Sequence, residues 1–115
     1  MIQSGSIVLF QFPRPDLTTG KLRPALLLGR LPGPFDDWLI CMISSQLKHK
    51  VAGFDEVIHS TDPDFPQTGL RATSLIRLGR LAVVDGSVLC GSIGEITFDR
   101  LQHLKNNLIS WMSKS

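Results

Sequence analysis

The sequence predicts a mainly β domain that ends in one α-helix, and three observations carry that reading. Short apolar runs rich in Val, Ile, Leu and Phe recur up to residue 93, as the strands of an antiparallel barrel or sandwich do. Clusters of Gly and Pro separate these runs, which is the punctuation that tight turns require. Past residue 97 the pattern changes, because Leu101, Leu104, Leu108 and Met112 recur at intervals of three to four and so fall on one helical face.

In chain order, the first strand is expected over residues 7–12, and Pro13, Pro15, Thr19 and Gly20 open the loop after it. The second strand covers 24–28, Pro32, Gly33 and Pro34 mark a turn, and the third strand covers 38–43. A short strand at Val57 and Ile58 lies within 54–59, and TDPDFPQTG at 61–69 forms a long loop. Strands over 74–84 and 88–93 complete the β part. Thr97 supplies an N-cap and Asp99 suits the positive end of the helix dipole, so the helix is expected over 98–112.

Length and composition bound the rest. The 115 residues, 43% hydrophobic and 19% charged, make one domain over 1–115 that buries about two thirds of its unfolded surface. A net charge of +2 and the apolar content exclude a disordered tail. No 18-residue apolar run exists for a membrane span, and residues 1–12 lack a basic region and a cleavage site, so a cytoplasmic location is expected. Cys41 and Cys90 each sit in an apolar run without C-x-x-C spacing, which predicts two buried free thiols. A pI of 8.8 is compatible with nucleic-acid binding.

The segment SLIRLGRLAVVD (74–85) breaks its own pattern. Alternation sends Ser74, Ile76 and Leu78 to one face and Leu75 and Arg77 to the other. Gly79 then marks a bulge or close backbone approach, with Arg77 and Arg80 beside the kink. Spacing alone equally allows both arginines to face water.

Four segments, in order, resemble the PemK/MazF-type toxins of bacterial toxin–antitoxin pairs. The strand at 5–9 is similar to the family's G-x-I-V-L; PDL-TTG-KLRPALLL (15–28) is similar to its D-L-x-x-G-K-x-R-P-A-L-V-L stretch. CMISSQ (41–46) resembles an apolar strand ending in [ST]-[ST]-Q, and GLRATSLIRLGRLAVVD (69–85) resembles the G-[LI]-x-x-x-S-x-[IV]-R strand that ends in V-D. The resemblance implies a small SH3-like barrel with a C-terminal helix and a homodimer neutralised by a cognate antitoxin. It also implies a metal-independent endoribonuclease that cuts single-stranded RNA without a cofactor. Carried over position by position, it nominates Arg23, Ser44 and Arg77 as catalytic. Lys21, Ser45, Gln46, Lys48, His49, Lys50, Arg71 and Arg80 are then expected to contact RNA. Some members carry an acidic residue two positions after the second arginine; here that position is Gly79.

The chemistry agrees with those residue types. Cleavage through the neighbouring 2′-hydroxyl needs no covalent protein nucleophile, only charge stabilisation and proton transfer. Arginine stays protonated and grips two phosphoryl oxygens, and Ser44 can donate a hydrogen bond to them. Proton transfer suits histidine better than arginine, which draws attention to His49 in QLKHK (46–50), a basic loop that also reads as a solvated turn. His103 reads as a surface or packing residue, His59 is uninformative, and Asp62 and Asp64 flank Pro63 as in an Asx-turn rather than a metal pair. Arg23 has an alternative role as a partner of Asp16. Phe12, Phe54 and Phe98 read as core, whereas Phe35 and Phe65 lie in loops and are candidates for stacking on a base; Trp111 suits a partner surface. Two non-catalytic alternatives remain. One is a topoisomerase poison resembling the CcdB-type toxins, which act through a W-G-I tip where this chain has SWMSKS (110–115). The other is a catalytically weak relative kept for protein binding.

Overall fold

Among the described residues, six strands, β1 (Ser6–Gln11), β2 (Leu22–Arg30), β3 (Asp37–Ser44), β4 (Glu56–Ile58), β5 (Ser74–Asp85) and β6 (Ser92–Glu95), form one antiparallel sheet in the order β4-β5-β3-β2-β1-β6. The computed structural model describes residues 2–11 and 21–115. A one-turn helix α1 (Phe65–Thr68) follows β4, and the long helix α2 (Phe98–Lys114) follows β6.

The central strands are buried on both faces, which is why they read as near-continuous apolar runs rather than alternating ones. One face supplies Ile7, Leu26, Cys41, Ile43, Ile76 and Leu78 to a core closed by Ile96, Leu101 and Leu104. The opposite face carries Val8, Phe10, Ala25, Leu27, Trp38 and Ile40, with Ile2 and Leu89 packed on them. Leu104 has no exposed surface, and cutting such a residue to alanine costs about 2–5 kcal/mol. Thr97 caps α2, its Oγ1 accepting the Arg100 N–H at 3.2 Å.

The sheet curls into a half-barrel, and the segment after β4 closes it by packing α1 on β6. Backbone approaches backbone there, so two glycines are required. Gly69 has φ +70° and a Cβ on it would strike the Ile93 carbonyl; a Cβ on Gly94 would strike the backbone of Gln67 and Thr68. Thr68 is fully buried in this seam, its hydroxyl donating to Phe65 O at 2.6 Å and accepting the Leu70 N–H at 3.1 Å.

Several expectations are corrected. The sixth strand begins at Ser92 rather than 88, because Gly86–Val88 forms a 3-10 turn capped by Asp85, which accepts the Ser87 N–H at 2.9 Å. Cys90 is exposed while Cys41 is fully buried, so only one thiol behaves as a core residue. Phe98 is 72% exposed, since it opens α2 on the side away from the sheet, and Phe65 packs on the core instead of standing free in its loop. Met112 lies exposed because α2 outruns the sheet it covers. Phe12 and Asp16 lie outside the described residues.

Candidate functional site

The second sheet face changes character along its length. Ala25 on β2, Met42 on β3 and Arg77 on β5 are successive cross-strand partners. Residues two apart on a strand share a face, so Arg23, Ser44 and Arg77 stand on the same side of three adjacent strands. Continuing the Ala25–Met42 register by two residues sets Arg23 opposite Ser44. Ser44 pairs with Leu75 and is therefore diagonal to Arg77, at about 7–8 Å. An apolar face thus becomes cationic at one end.

The electrostatics separate these cations from Arg30 and Arg100, a property that Arg71 and Arg80 share among the described residues. Arg30 pairs with Asp36 at 3.5 Å, and Arg100 is held by three carboxylates. Among the described residues, neither Arg23 nor Arg77 forms an ion pair, so their charges attract an anion arriving from solvent. Ser44 is only 6% exposed, and its Oγ accepts the Gln46 N–H at 3.0 Å. That bond fixes the hydroxyl between the two arginines and leaves its proton to donate.

The expected RNA-contacting residues are placed less tightly. Ser45 and Gln46 leave the end of β3, and Lys48 and His49 lie on a 3-10 turn (Leu47–His49) that leads to Lys50, all exposed. Lys21 precedes β2 and Arg71 precedes β5, also exposed. His103 stands on the helix side, its Nδ1 2.7 Å from Glu56 Oε2, and is separated from the arginines by the sheet. Asp62 and Asp64 bind Arg100, and among the described residues no cluster of His, Cys, Asp or Glu has the makings of a metal site. Phe35 is exposed in its loop. A cleft of about 430 Å³ lined by Phe10, Gln11, Val84, Asp85, Val88 and Cys90 extends the same face, reached through Phe10, the partner of Arg23.

The kink in β5 is larger than one residue. Met42 pairs with Arg77 but the preceding Cys41 pairs with Leu81, so Leu78, Gly79 and Arg80 are looped out without partners on β3. Sequence reasoning missed what holds this bulge. Asp55, 7% exposed, accepts the Leu78 N–H on Oδ1 at 3.0 Å and the Val51 N–H on Oδ2 at 2.9 Å. The only signal in the sequence is a carboxylate directly before the β4 run, behind Gly53. Its charge, together with complete burial as the larger cause, pushes the Cys41 thiol far up and keeps it protonated.

Comparison with known proteins adds two findings. The family described as PemK-like, MazF-like toxin of type II toxin–antitoxin systems matches residues 3–112. Among solved structures, the chain resembles an endoribonuclease in complex with its cognate antitoxin from a mycobacterial species, with a TM-score of 0.69 over 98% of this chain and 96% of that one. Identity to that protein is 10%, so the likeness is one of fold. No curated protein sequence matches the chain.

Proposed function

Because the chain belongs to the PemK-like, MazF-like toxins of type II toxin–antitoxin systems, we propose that it is a metal-independent endoribonuclease acting on single-stranded messenger RNA in the cytoplasm. The observation that carries this reading is the set of Arg23, Ser44 and Arg77 on one face, with both arginines lacking an ion-pair partner among the described residues. The fold is that of an endoribonuclease.

In the proposed reaction the 2′-hydroxyl of one nucleotide attacks its own phosphate. The 2′-oxygen–phosphorus bond forms, the bond to the 5′-oxygen breaks, and the products are a 2′,3′-cyclic phosphate and a 5′-hydroxyl. The 2′-hydroxyl proton passes to water or a base, and the leaving oxygen takes up a proton. Arg23 and Arg77 bind the phosphoryl oxygens as negative charge builds, and Ser44 donates to the same oxygens. Lys21, Ser45, Gln46, Lys48, His49, Lys50, Arg71 and Arg80 line the approach of the strand.

The partners follow from the same reading: a cognate antitoxin and a second copy of the chain. Ile109, Trp111 and Met112 are exposed at the end of α2, and Ile109 shares a groove with Leu39, whose cross-strand partner Val83 is also exposed. An apolar patch of this kind marks an interface. Purified protein incubated with a long single-stranded RNA and EDTA tests the enzymatic part: new 5′-hydroxyl ends are expected. Intact RNA would leave the non-catalytic readings.

A further inference from the structure

The Asp55 carboxylate does work that a main-chain ladder would ordinarily do. Glu56 pairs with Ile76 across β4 and β5; one step further, β4 has ended and the Leu78 N–H would lose its acceptor. Asp55 Oδ1 takes that N–H at 3.0 Å, across 23 residues of chain. Oδ2 takes the Val51 N–H at 2.9 Å, and the Asp55 N–H returns to Val51 O at 2.9 Å. The Phe54 carbonyl is meanwhile held by Asn107 Nδ2 at 3.0 Å. One buried carboxylate therefore ties a closed turn, itself anchored to α2, to the residue that follows Arg77.

We propose that Asp55 is a positioning residue: by holding the Leu78 amide at the start of the bulge, it fixes where β5 leaves β3 and so aims Arg77 at the scissile phosphate. This rests on the endoribonuclease reading above. Both carboxylate oxygens accept an N–H, and asparagine offers only one acceptor oxygen, its NH₂ group facing an N–H at the other position. Asp55→Asn therefore keeps the shape of the side chain and breaks one of the two ties. A catalytic group displaced by about 1 Å loses about 10²-fold in rate.

The test is a cycle of Asp55→Asn with Arg77→Ala, read as single-turnover cleavage of one RNA at saturating protein and well below every variant's unfolding temperature. Asp55→Asn is expected to slow the wild type by about 10- to 100-fold and to change the Arg77→Ala background by less than about twofold. An equal slowing in both backgrounds overturns the proposal, because it means that Asp55 acts on the fold and not through Arg77. The side-chain Nε–H resonances of Arg77 and Arg23 give a second readout independent of activity. Asp55→Asn is expected to shift that of Arg77 and not that of Arg23; an unmoved Arg77 signal overturns the positioning role. If the wild type leaves RNA intact, the endoribonuclease reading has failed, and these resonances alone then decide whether Asp55 orients Arg77.

Discussion

Replacing Arg100 with alanine removes the cation that binds β4 and the 59–69 segment to α2. Its Nε donates to Asp64 Oδ2 at 2.9 Å, Nη1 to Glu56 Oε1 at 2.7 Å, and Nη2 to Asp64 Oδ1 at 3.0 Å and Asp62 Oδ2 at 3.2 Å. The side chains of Arg100, Glu56 and Asp64 are 15–16% exposed and that of Asp62 is 27% exposed. Taking one partner from a buried pair costs about 3–5 kcal/mol, and the residual access to water places this site near 3 kcal/mol. At about 4 °C per kcal/mol for a domain of this size, the melting temperature should fall by about 12 °C at pH 7. Arg100→Lys should fall between, because an ammonium cannot reproduce the forked contacts. A change below about 3 °C for alanine, measured by calorimetry, would refute the reasoning, because a surface ion pair is worth at most about 1 kcal/mol.

The same site sets a pH signature. Hydrogen bonding from Arg100 holds the Asp64 carboxyl below its ordinary value of 3.8, against partial desolvation and with the guanidinium charge assisting. A carboxylate depressed in the folded state adds stability above its unfolded pKa and loses it as pH falls through the folded value. The gap between wild type and Arg100→Ala should therefore be full at pH 7 and smaller at pH 3, below the ordinary value of the Asp64 carboxyl. A gap of equal size at both pH values, in urea titrations, would show that the stabilisation is not ionic.

Other expectations are shorter. Arg23→Ala and Arg77→Ala should each lower RNA cleavage about 10²- to 10³-fold while the thermal unfolding curve stays in place; wild-type cleavage by either variant removes that residue from the mechanism. His49→Gln should retain the rate and pH profile, since His49 sits on an exposed turn; a flattened acidic limb would instead assign it as the base. Native protein should expose one thiol to an aromatic disulfide reagent, at Cys90, and a second only on unfolding, because Cys41 is buried and held protonated. Sedimentation should give a dimer at micromolar concentration that Ile109→Glu converts to monomer, whereas a monomeric wild type contradicts the proposed interface.

Much of the fold was legible because each element announces itself locally. Leu101, Leu104 and Leu108 carry a helical period, and Thr97 caps it. The strands β1, β2, β3 and β5 are apolar enough to be found without alternation, since both faces of the sheet are covered. What could not be read were contacts between segments far apart. Asp62 and Asp64 look like turn formers until Arg100, 36 residues after Asp64, is brought to them. Phe98 has the composition of a core residue and lies outside because it opens α2 on the side away from the sheet. Val88 lost strand pairing to a 3-10 turn that one Asp85–Ser87 bond stabilises, whereas Cys90, beyond the turn, still donates its N–H to Leu9 O at 2.9 Å.

The candidate site shows the same division in sharper form. Arg23, Ser44 and Arg77 are nominated by resemblance, and their common face follows from the register of β2, β3 and β5, which no single segment encodes. Gly79 and the two nearby arginines did mark the kink, because a glycine between cations interrupts an otherwise apolar strand. The size of the bulge was hidden, since its third dimension is supplied by Asp55 from another loop. Breaks in a local pattern are where a fold gives up stability for function. Here the looped-out segment costs three ladder positions and leaves Arg77 at the last paired residue before the break, on the face where the proposed reaction would bring a phosphate as counter-charge.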